Sequence, residues 1–347
     1  MRIFFIINSL SNKSGSERVA CVLANLFSEY PNFDVTLINR DTSKYNAAYS
    51  LSEKVTVVNI PGNILKFYEG ISNLTILHSP DYIVVHNMGK LSLFCSLLKY
   101  HIKSKSKFIS LEHGSFVGRP LWVKFLSNFF YKNFDKVIAL THKDRIDFSR
   151  IHHNVLVIPN ICPYSIVEKT SYPKIILSVG RLDKNKNHIH LLEAWKVIQD
   201  KLQNWQLHIY GDGELKDFLN SYIFDKELKN VFLKGVSSDI SKVYKNASLL
   251  CMTSKFEGLP MVLIESQAFG LPLISYNCPN GPSDIIVDAY NGFLVENQNI
   301  EHLSEKILEL STNESMLVKF SENSQKNALN YQPEKILDIW VHKVLEK

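Results

Sequence analysis

Short apolar runs alternate with helix-length segments along nearly the whole chain, and this alternation constrains the fold more than any other property of the sequence. The runs at 2–8 (RIFFIIN), 33–39, 55–60, 82–86 (YIVVH), 107–112, 136–140 and 154–158 are apolar almost throughout, not merely at alternate positions. Strands of that kind are buried on both faces, the condition of a parallel sheet covered by helices. Helices are expected between them at 16–29, 90–100, 119–133 and 141–150. Pro159, Pro163 and Pro173 break the pattern and mark a linker. It restarts at Lys174, with strands expected at 174–180, 205–210, 230–233, 248–252 and 272–275. Helices follow near 187–201, 213–223, 238–246, 261–269, 300–311 and 314–329, with a last one opening at Pro333. A chain of 347 residues is long for one core. The expected fold class is therefore α/β, with two doubly wound parallel-sheet domains, 1–165 and 166–331, facing each other across a cleft.

Composition removes other classes. A net charge of +5 is too weak a balance to indicate a nucleic-acid partner. The five cysteines are odd in number and scattered, with no CxxC pair and no zinc-type spacing, which fits a reducing, cytoplasmic compartment. MRIFFIINSL reads as a first buried strand and not as a secretory leader, because Asn8, Ser9, Asn12 and Lys13 follow without a small-residue cleavage site. No apolar run approaches a membrane span.

The segment Thr253–Ser275, TSKFEGLPMVLIESQAFGLPLIS, reads as strand end, Gly-Pro turn, helix and next strand. Pro260 suits a first helical turn, and Gly270-Leu271-Pro272 ends it. The amides of Met261, Val262 and Leu263 are then donors at a helix N-terminus, where the dipole favours an anion. Glu257 lies in the loop before that helix and Glu265 about two turns into it, so a carboxylate flanks the anion position on either side. Phosphate plus hydroxyl groups is the ligand chemistry this pattern suits.

Further motifs fall where other strands should end. SVGRLDKNKN places Arg181, a planar fork for phosphate oxygens, five residues before the point charge of Lys186. Phosphate binding is the favoured reading, and a solvated basic turn is the alternative for this segment alone. Gly15, in NSLSNKSGSE, could admit a diphosphate or sugar to the backbone, or simply make a flexible turn before Ser16. Glu112-His113-Gly114 can project His113 from a strand end. Tyr210-Gly211-Asp212-Gly213-Glu214 and the rigid turn Cys278–Ile286 follow the same logic. The sequence has no DxD, Walker P-loop, GxSxG or HExxH, so no metal site is expected and cations from the protein must neutralise any leaving-group charge.

RPLWVKFLSNFFYKNFDK at 119–136 mixes Trp122, Phe125, Phe129, Phe130 and Tyr131 with Arg119, Lys124, Lys132 and Lys136. That composition suits either peripheral contact with an anionic membrane or a helix packing its aromatics inward.

In order and spacing, SVGRLDKNKN, YGDGE, SKFEGLPMVLIE and PNGPSDII resemble glycosyltransferase family 4, the retaining sugar-nucleotide transferases of GT-B fold. The resemblance covers most of the chain and is strongest from Ile175 to Val295. In the first domain Ser14-Gly15-Ser16 stands where many members carry two glycines. The resemblance implies two Rossmann-like domains, a C-terminal helix (332–347) packing back on the first, and a donor held without metal or cofactor. It implies that Arg181 and Lys186 bind the donor diphosphate, that Glu265 accepts ribose hydroxyls, and that Glu257 contacts the transferred sugar. Met261, Val262 and Leu263 would hold phosphate through their amides, Gly15 and Gly211 would line the donor site, and His113 would lie by the anomeric centre. The implied reaction moves a hexose or N-acetylhexosamine from a UDP-type sugar to a glycan or lipid-linked acceptor in surface polysaccharide synthesis, in the cytoplasm or at the inner membrane face. An epimerase and a non-catalytic sugar-nucleotide or glycan-binding protein are the competing readings.

Overall fold

The computed structural model describes residues 1–11, 15–41, 47–87, 89–102, 104–116 and 118–345. The chain forms two compact units, Met1–Ile161 with Pro333–Lys347, and Cys162–Gln332.

Among the described residues, the first unit carries β1 (Arg2–Ile6), β2 (Asp34–Asn39), β3 (Thr56–Asn59), β4 (Tyr82–Asn87), β5 (Lys107–Glu112), β6 (Lys136–Ala139) and β7 (Val155–Val157). They pair in parallel in the order β3-β2-β1-β4-β5-β6-β7. The apolar runs are continuous because both faces are covered. Phe4 and Ile6 point to one side, into a core with Ile83, Val85, Leu91, Leu98 and Val123. Phe5 points to the other, where it meets Phe27 of helix Gly15–Glu29 at 5.7 Å between ring centroids. Trp340, 1% exposed on helix Pro333–Lys343, packs edge-on against the same Phe27 at 5.9 Å. The last helix thus belongs to the first unit although the second interrupts the chain before it. Burying such an aromatic contributes roughly 1.5–3 kcal/mol.

The second unit carries β8 (Ile175–Val179), β9 (Gln206–Tyr210), β10 (Val231–Gly235), β11 (Leu249–Met252), β12 (Leu273–Tyr276) and β13 (Gly292–Val295), all parallel, in the order β10-β9-β8-β11-β12-β13. Its core gathers Trp195 and Leu191 of helix His188–Ile198 with Ile307 and Leu310 of helix Ile300–Thr312. In both sheets the strand order reverses once, between β1 and β4 and between β8 and β11, and such switch points are where open α/β sheets bind ligands.

Three elements escape the sequence pattern, one of them the four-residue helix Pro282–Ile285 in the segment read as a rigid turn. Helix Ile64–His78 begins at Asn63, whose side chain accepts the Lys66 amide, and buries only Phe67, Ile71 and Thr75. That stripe is too narrow to stand out by periodicity. β13 is four residues long, the shortest run that still pairs fully with β12. All five cysteines are buried, and no disulfide joins them.

Gly211 holds the carboxyl ends of β8 and β9 together. Its φ is +149°, its amide donates to the Gly235 carbonyl at 2.9 Å, and a Cβ there would lie 1.8 Å from the Gly180 carbonyl oxygen. No side chain fits without moving the backbone of the loop beyond β8. Gly211→Ala should therefore lower stability by about 2 kcal/mol or more, read as a fall in the denaturant midpoint. An unchanged midpoint would contradict this packing.

Candidate functional site

At the β8/β11 switch point two loops are laced together. Asp183 Oδ1 accepts the amides of Asn185 and Lys186 at 3.0 and 2.9 Å and shapes the turn after β8. The Lys255 amide donates to the Asn185 carbonyl at 2.8 Å, Asn185 Nδ2 donates to the Phe256 carbonyl at 3.0 Å, and Thr253 Oγ1 donates to the Lys186 carbonyl at 3.0 Å. The outcome is an ion pair: Lys186 Nζ lies 2.5 Å from Glu257 Oε1, with the two side chains only 20% and 11% exposed. Gly180 leaves room for the lysine stem, since a Cβ there would stand 3.2 Å from Lys186 Cγ. Arg181 is different. Its side chain is 79% exposed and meets Asp183 at 3.1 Å, a surface contact weak enough to exchange for a ligand.

Beside the pair, helix Met261–Ala268 begins at Pro260, which offers no side-chain cap. The amides of Met261 and Val262 have no hydrogen-bond partner among the described residues. Leu263 departs from expectation: its amide donates to the Pro260 carbonyl at 3.2 Å, closing a tight first turn. Two amides, not three, are therefore available to an anion here. The turn after β12 braces this helix start, because a Cβ on Gly281 (φ +91°) would lie 2.3 Å from the Gly258 carbonyl oxygen. Cys278 in that turn has its thiol pushed up to about 12 by burial and by the Glu257 charge.

Glu265 lies deeper than its sequence position suggests. It is 1% exposed, and its carboxylate accepts the Tyr244 hydroxyl at 3.0 Å. Sequence reasoning did not find Tyr244, which sits on helix Ile240–Lys245, or three buried polar atoms at the laced loops. Asn187 Nδ2, His188 Nε2 and Ser254 Oγ have no partner among the described residues. Unpaired buried polar groups are costly, and their gathering at one point favours a polar ligand there. His188 is held neutral by burial and by the Lys186 charge, with its pKa down to about 4.

In the first unit, His113 follows β5 and is 7% exposed. Its Nε2 lies 3.1 Å from Nδ1 of the fully buried His86, and the rings stack at 5.3 Å. One imidazole must donate and the other accept, so the pair is neutral; burial takes His113 down to about 4. Next to it, Glu112 is buried and bonded by Arg119, by the Ser110 hydroxyl, by Tyr131 at 2.8 Å and by Ser92 at 2.9 Å. Arg119, 6% exposed, lies over the Phe148 ring at 4.8 Å. Arg119 and Tyr131, grouped by composition with a membrane-facing helix, are thus core residues, the first offsetting the Glu112 charge and the second donating a hydrogen bond to it. Gly15 is the first residue of helix Gly15–Glu29 and is exposed, while Asn12, Lys13 and Ser14 of its loop lie outside the described residues. Among the described residues, no three His, Cys, Asp or Glu side chains come together as a metal site. Nor is any helix long and apolar enough to cross a membrane.

Two doubly wound parallel sheets of this kind make up the GT-B fold. Residues 166–327 match the family model for glycosyl transferases group 1. The chain is 32% identical over 354 residues to the amylovoran biosynthesis glycosyltransferase AmsD of Erwinia amylovora, covering 98% of each. It belongs to this glycosyltransferase family. It is also 27% identical over 366 residues, 100% of this chain and 99% of the other, to a Campylobacter jejuni alpha-1,4-N-acetyl-D-galactosaminyltransferase named for a diNAcBac-PP-undecaprenol-linked GalNAc acceptor. Among solved structures, S. aureus TarM in a complex with alpha-GlcNAc-glycerol and UDP has a TM-score of 0.75 at 18% identity, over 98% of this chain and 99% of that one.

Because His113 folds with a pKa of about 4 against an ordinary 6.5, the unfolded chain binds more protons between those values. Stability must fall as pH drops through that window, and His188 adds to the slope. Urea midpoints measured from pH 7 to pH 5 should decline, less steeply in His113→Gln. A midpoint flat across that range would contradict the buried neutral imidazoles.

Proposed function

We propose that the chain is a retaining, metal-independent transferase of the family 4 type. It moves a hexose or N-acetylhexosamine from a UDP-sugar to a glycan or lipid-linked acceptor. The observation that carries this reading is the Lys186–Glu257 pair set beside the free amides of Met261 and Val262. Few ligands want a cation, two amide donors and a carboxylate within one small site. A sugar linked through a diphosphate does: its phosphates take the lysine and the amides, and its hydroxyls donate to the carboxylate.

In this reading, Lys186 and Arg181 draw charge from the diphosphate as the glycosidic bond breaks. Arg181 gives up Asp183 to do so. Met261 and Val262 donate to a phosphate oxygen and cost no reorganisation, being fixed by the Pro260 turn. Glu257 holds the donor sugar and keeps Lys186 aimed. Glu265, freed from Tyr244 or sharing it, accepts the ribose hydroxyls; Gly211 keeps the loop backbone close to the donor. In the first unit, His113 presents a neutral imidazole oriented by His86 to the sugar near its anomeric carbon. Retention then proceeds by attack from the face the nucleotide leaves, with a departing phosphate oxygen taking the acceptor proton. No carboxylate nucleophile is needed, unlike the retaining glycoside hydrolases.

The relatives supply the biological setting. AmsD is named for amylovoran biosynthesis, and the Campylobacter enzyme for an undecaprenol-linked acceptor. A surface polysaccharide assembled on a lipid carrier by a cytoplasmic enzyme is the parallel role we assign here, and five buried cysteines without a disulfide fit such a compartment.

Arg181→Ala, Lys186→Ala and Glu257→Ala should each lower turnover by about 10²-fold or more, the scale of losing an oxyanion donor, in an assay that follows UDP release from a panel of UDP-sugars. Glu265→Ala should chiefly weaken nucleotide affinity. Near-normal turnover in the first three variants would sink the assignment of the site. Binding of a UDP-sugar with neither transfer nor slow hydrolysis would point to a non-catalytic binding protein.

A further inference from the structure

Glu265 is the one acidic residue of helix Met261–Ala268, and it is buried. A carboxylate taken out of water needs donors. One comes from another element: the hydroxyl of Tyr244, on helix Ile240–Lys245, donates to Glu265 Oε2 at 3.0 Å.

The phenol is held in place by its neighbours. Phe269 stands four residues after Glu265, so the two side chains share a face of the helix one turn apart. Tyr244 lies across both. Its ring stacks on Phe269, with centroids 5.5 Å apart and planes at 29°, while its hydroxyl reaches Glu265. Tyr164, from the segment that enters this unit, closes the cluster edge-on, 5.2 Å from Phe269 and 6.4 Å from Tyr244. The Tyr164 carbonyl in turn accepts Gln332 Nε2 at 3.3 Å, which anchors the chain carrying that ring.

A buried phenol ordinarily takes some acceptor. What sets Tyr244 apart is that its acceptor is the carboxylate proposed to take the ribose hydroxyls. Its ring is fully buried and packed, so the hydroxyl occupies one place. Glutamate has more rotors, and the position of its charged end decides whether a ligand meets it. The phenol pins one oxygen, and the planar carboxylate then puts the other at a fixed point. A carboxylate has about four acceptor positions, more than one hydroxyl fills, so ligand hydroxyls can join the phenol without displacing it.

We propose that Tyr244 is a positioning residue for the nucleotide: its hydroxyl stays on Glu265 when the donor binds and sets the carboxylate to accept the ribose 2′- and 3′-hydroxyls. This deepens the donor reading of the site and rests on it.

Wild type and Y244F are titrated calorimetrically with UDP and with 2′,3′-dideoxy-UDP. Y244F keeps the ring and its stacking and loses only the hydroxyl. In wild type, UDP should bind at least about tenfold tighter than the dideoxy analogue, the scale of hydrogen bonds to a charged group. In Y244F, UDP should bind about tenfold more weakly than in wild type, while the dideoxy analogue binds as before. A role in packing alone would weaken both nucleotides alike, or neither, and either result would overturn the proposal. So would tighter UDP binding by Y244F, since the ligand would then be displacing the phenol. Equal wild-type affinity for the two nucleotides would take the ribose away from Glu265 and overturn it as well, while leaving the phosphate site standing. No UDP binding to wild type would sink the donor reading and this role with it. If Y244F does not melt cooperatively, Y164L decides, because it keeps the hydroxyl and removes the ring that backs it. Its preference for UDP over the dideoxy analogue should fall, and a wild-type preference would overturn the proposal.

Discussion

The ion pair between Lys186 and Glu257 is the interaction on which the second unit's site depends. It joins residues 71 apart in sequence, and it exists only because β8 and β11 are neighbours at the point where strand order reverses. Everything around the pair serves that approach. Asp183 folds the first loop, Asn185 and Thr253 stitch it to the second, Gly180 clears the lysine's path, and Gly281 props the turn leading into helix Met261–Ala268. A half-buried lysine and carboxylate offset each other's desolvation, yet each remains able to take part of a larger charged ligand. The role we propose for the pair is to meet a charged donor, beyond bridging the two loops.

The first unit solves a different electrostatic problem. Glu112 ends β5 with its carboxylate buried, and a guanidinium, a phenol and two serine hydroxyls converge on it. Their combined effect is a rigid strand end beside His113, whose own proton is governed by His86.

Much of this was legible in the sequence, for identifiable reasons. Strands buried on both faces leave continuous apolar runs, so almost every strand of both sheets could be marked within a residue or two. β13 was missed because Gly292-Phe293-Leu294-Val295 is too short a run to recognise. Helix Ile64–His78 was missed because so few of its residues face the core. The motifs around Arg181, Lys186 and Glu257 each follow a strand, and the structure brings those loops together at the β8/β11 switch point. What sequence could not supply was direction. It grouped Arg119 and Tyr131 with Trp122 and Phe125, whereas a buried Glu112 draws the first two inward and leaves the others in water. It also counted Leu263 among the free amides, because a tight first turn through Pro260 leaves no composition signal.

The most direct test of the account is thermal unfolding of wild type and Lys186→Ala with and without UDP. A ligand at a hundred times its dissociation constant adds about 2.7 kcal/mol, which moves the midpoint by several degrees. The account predicts a clear UDP shift in wild type that is largely lost in a Lys186→Ala protein that still folds cooperatively. An equal shift in both proteins, or no shift in wild type, would contradict the placement of the donor phosphates at the Lys186–Glu257 pair.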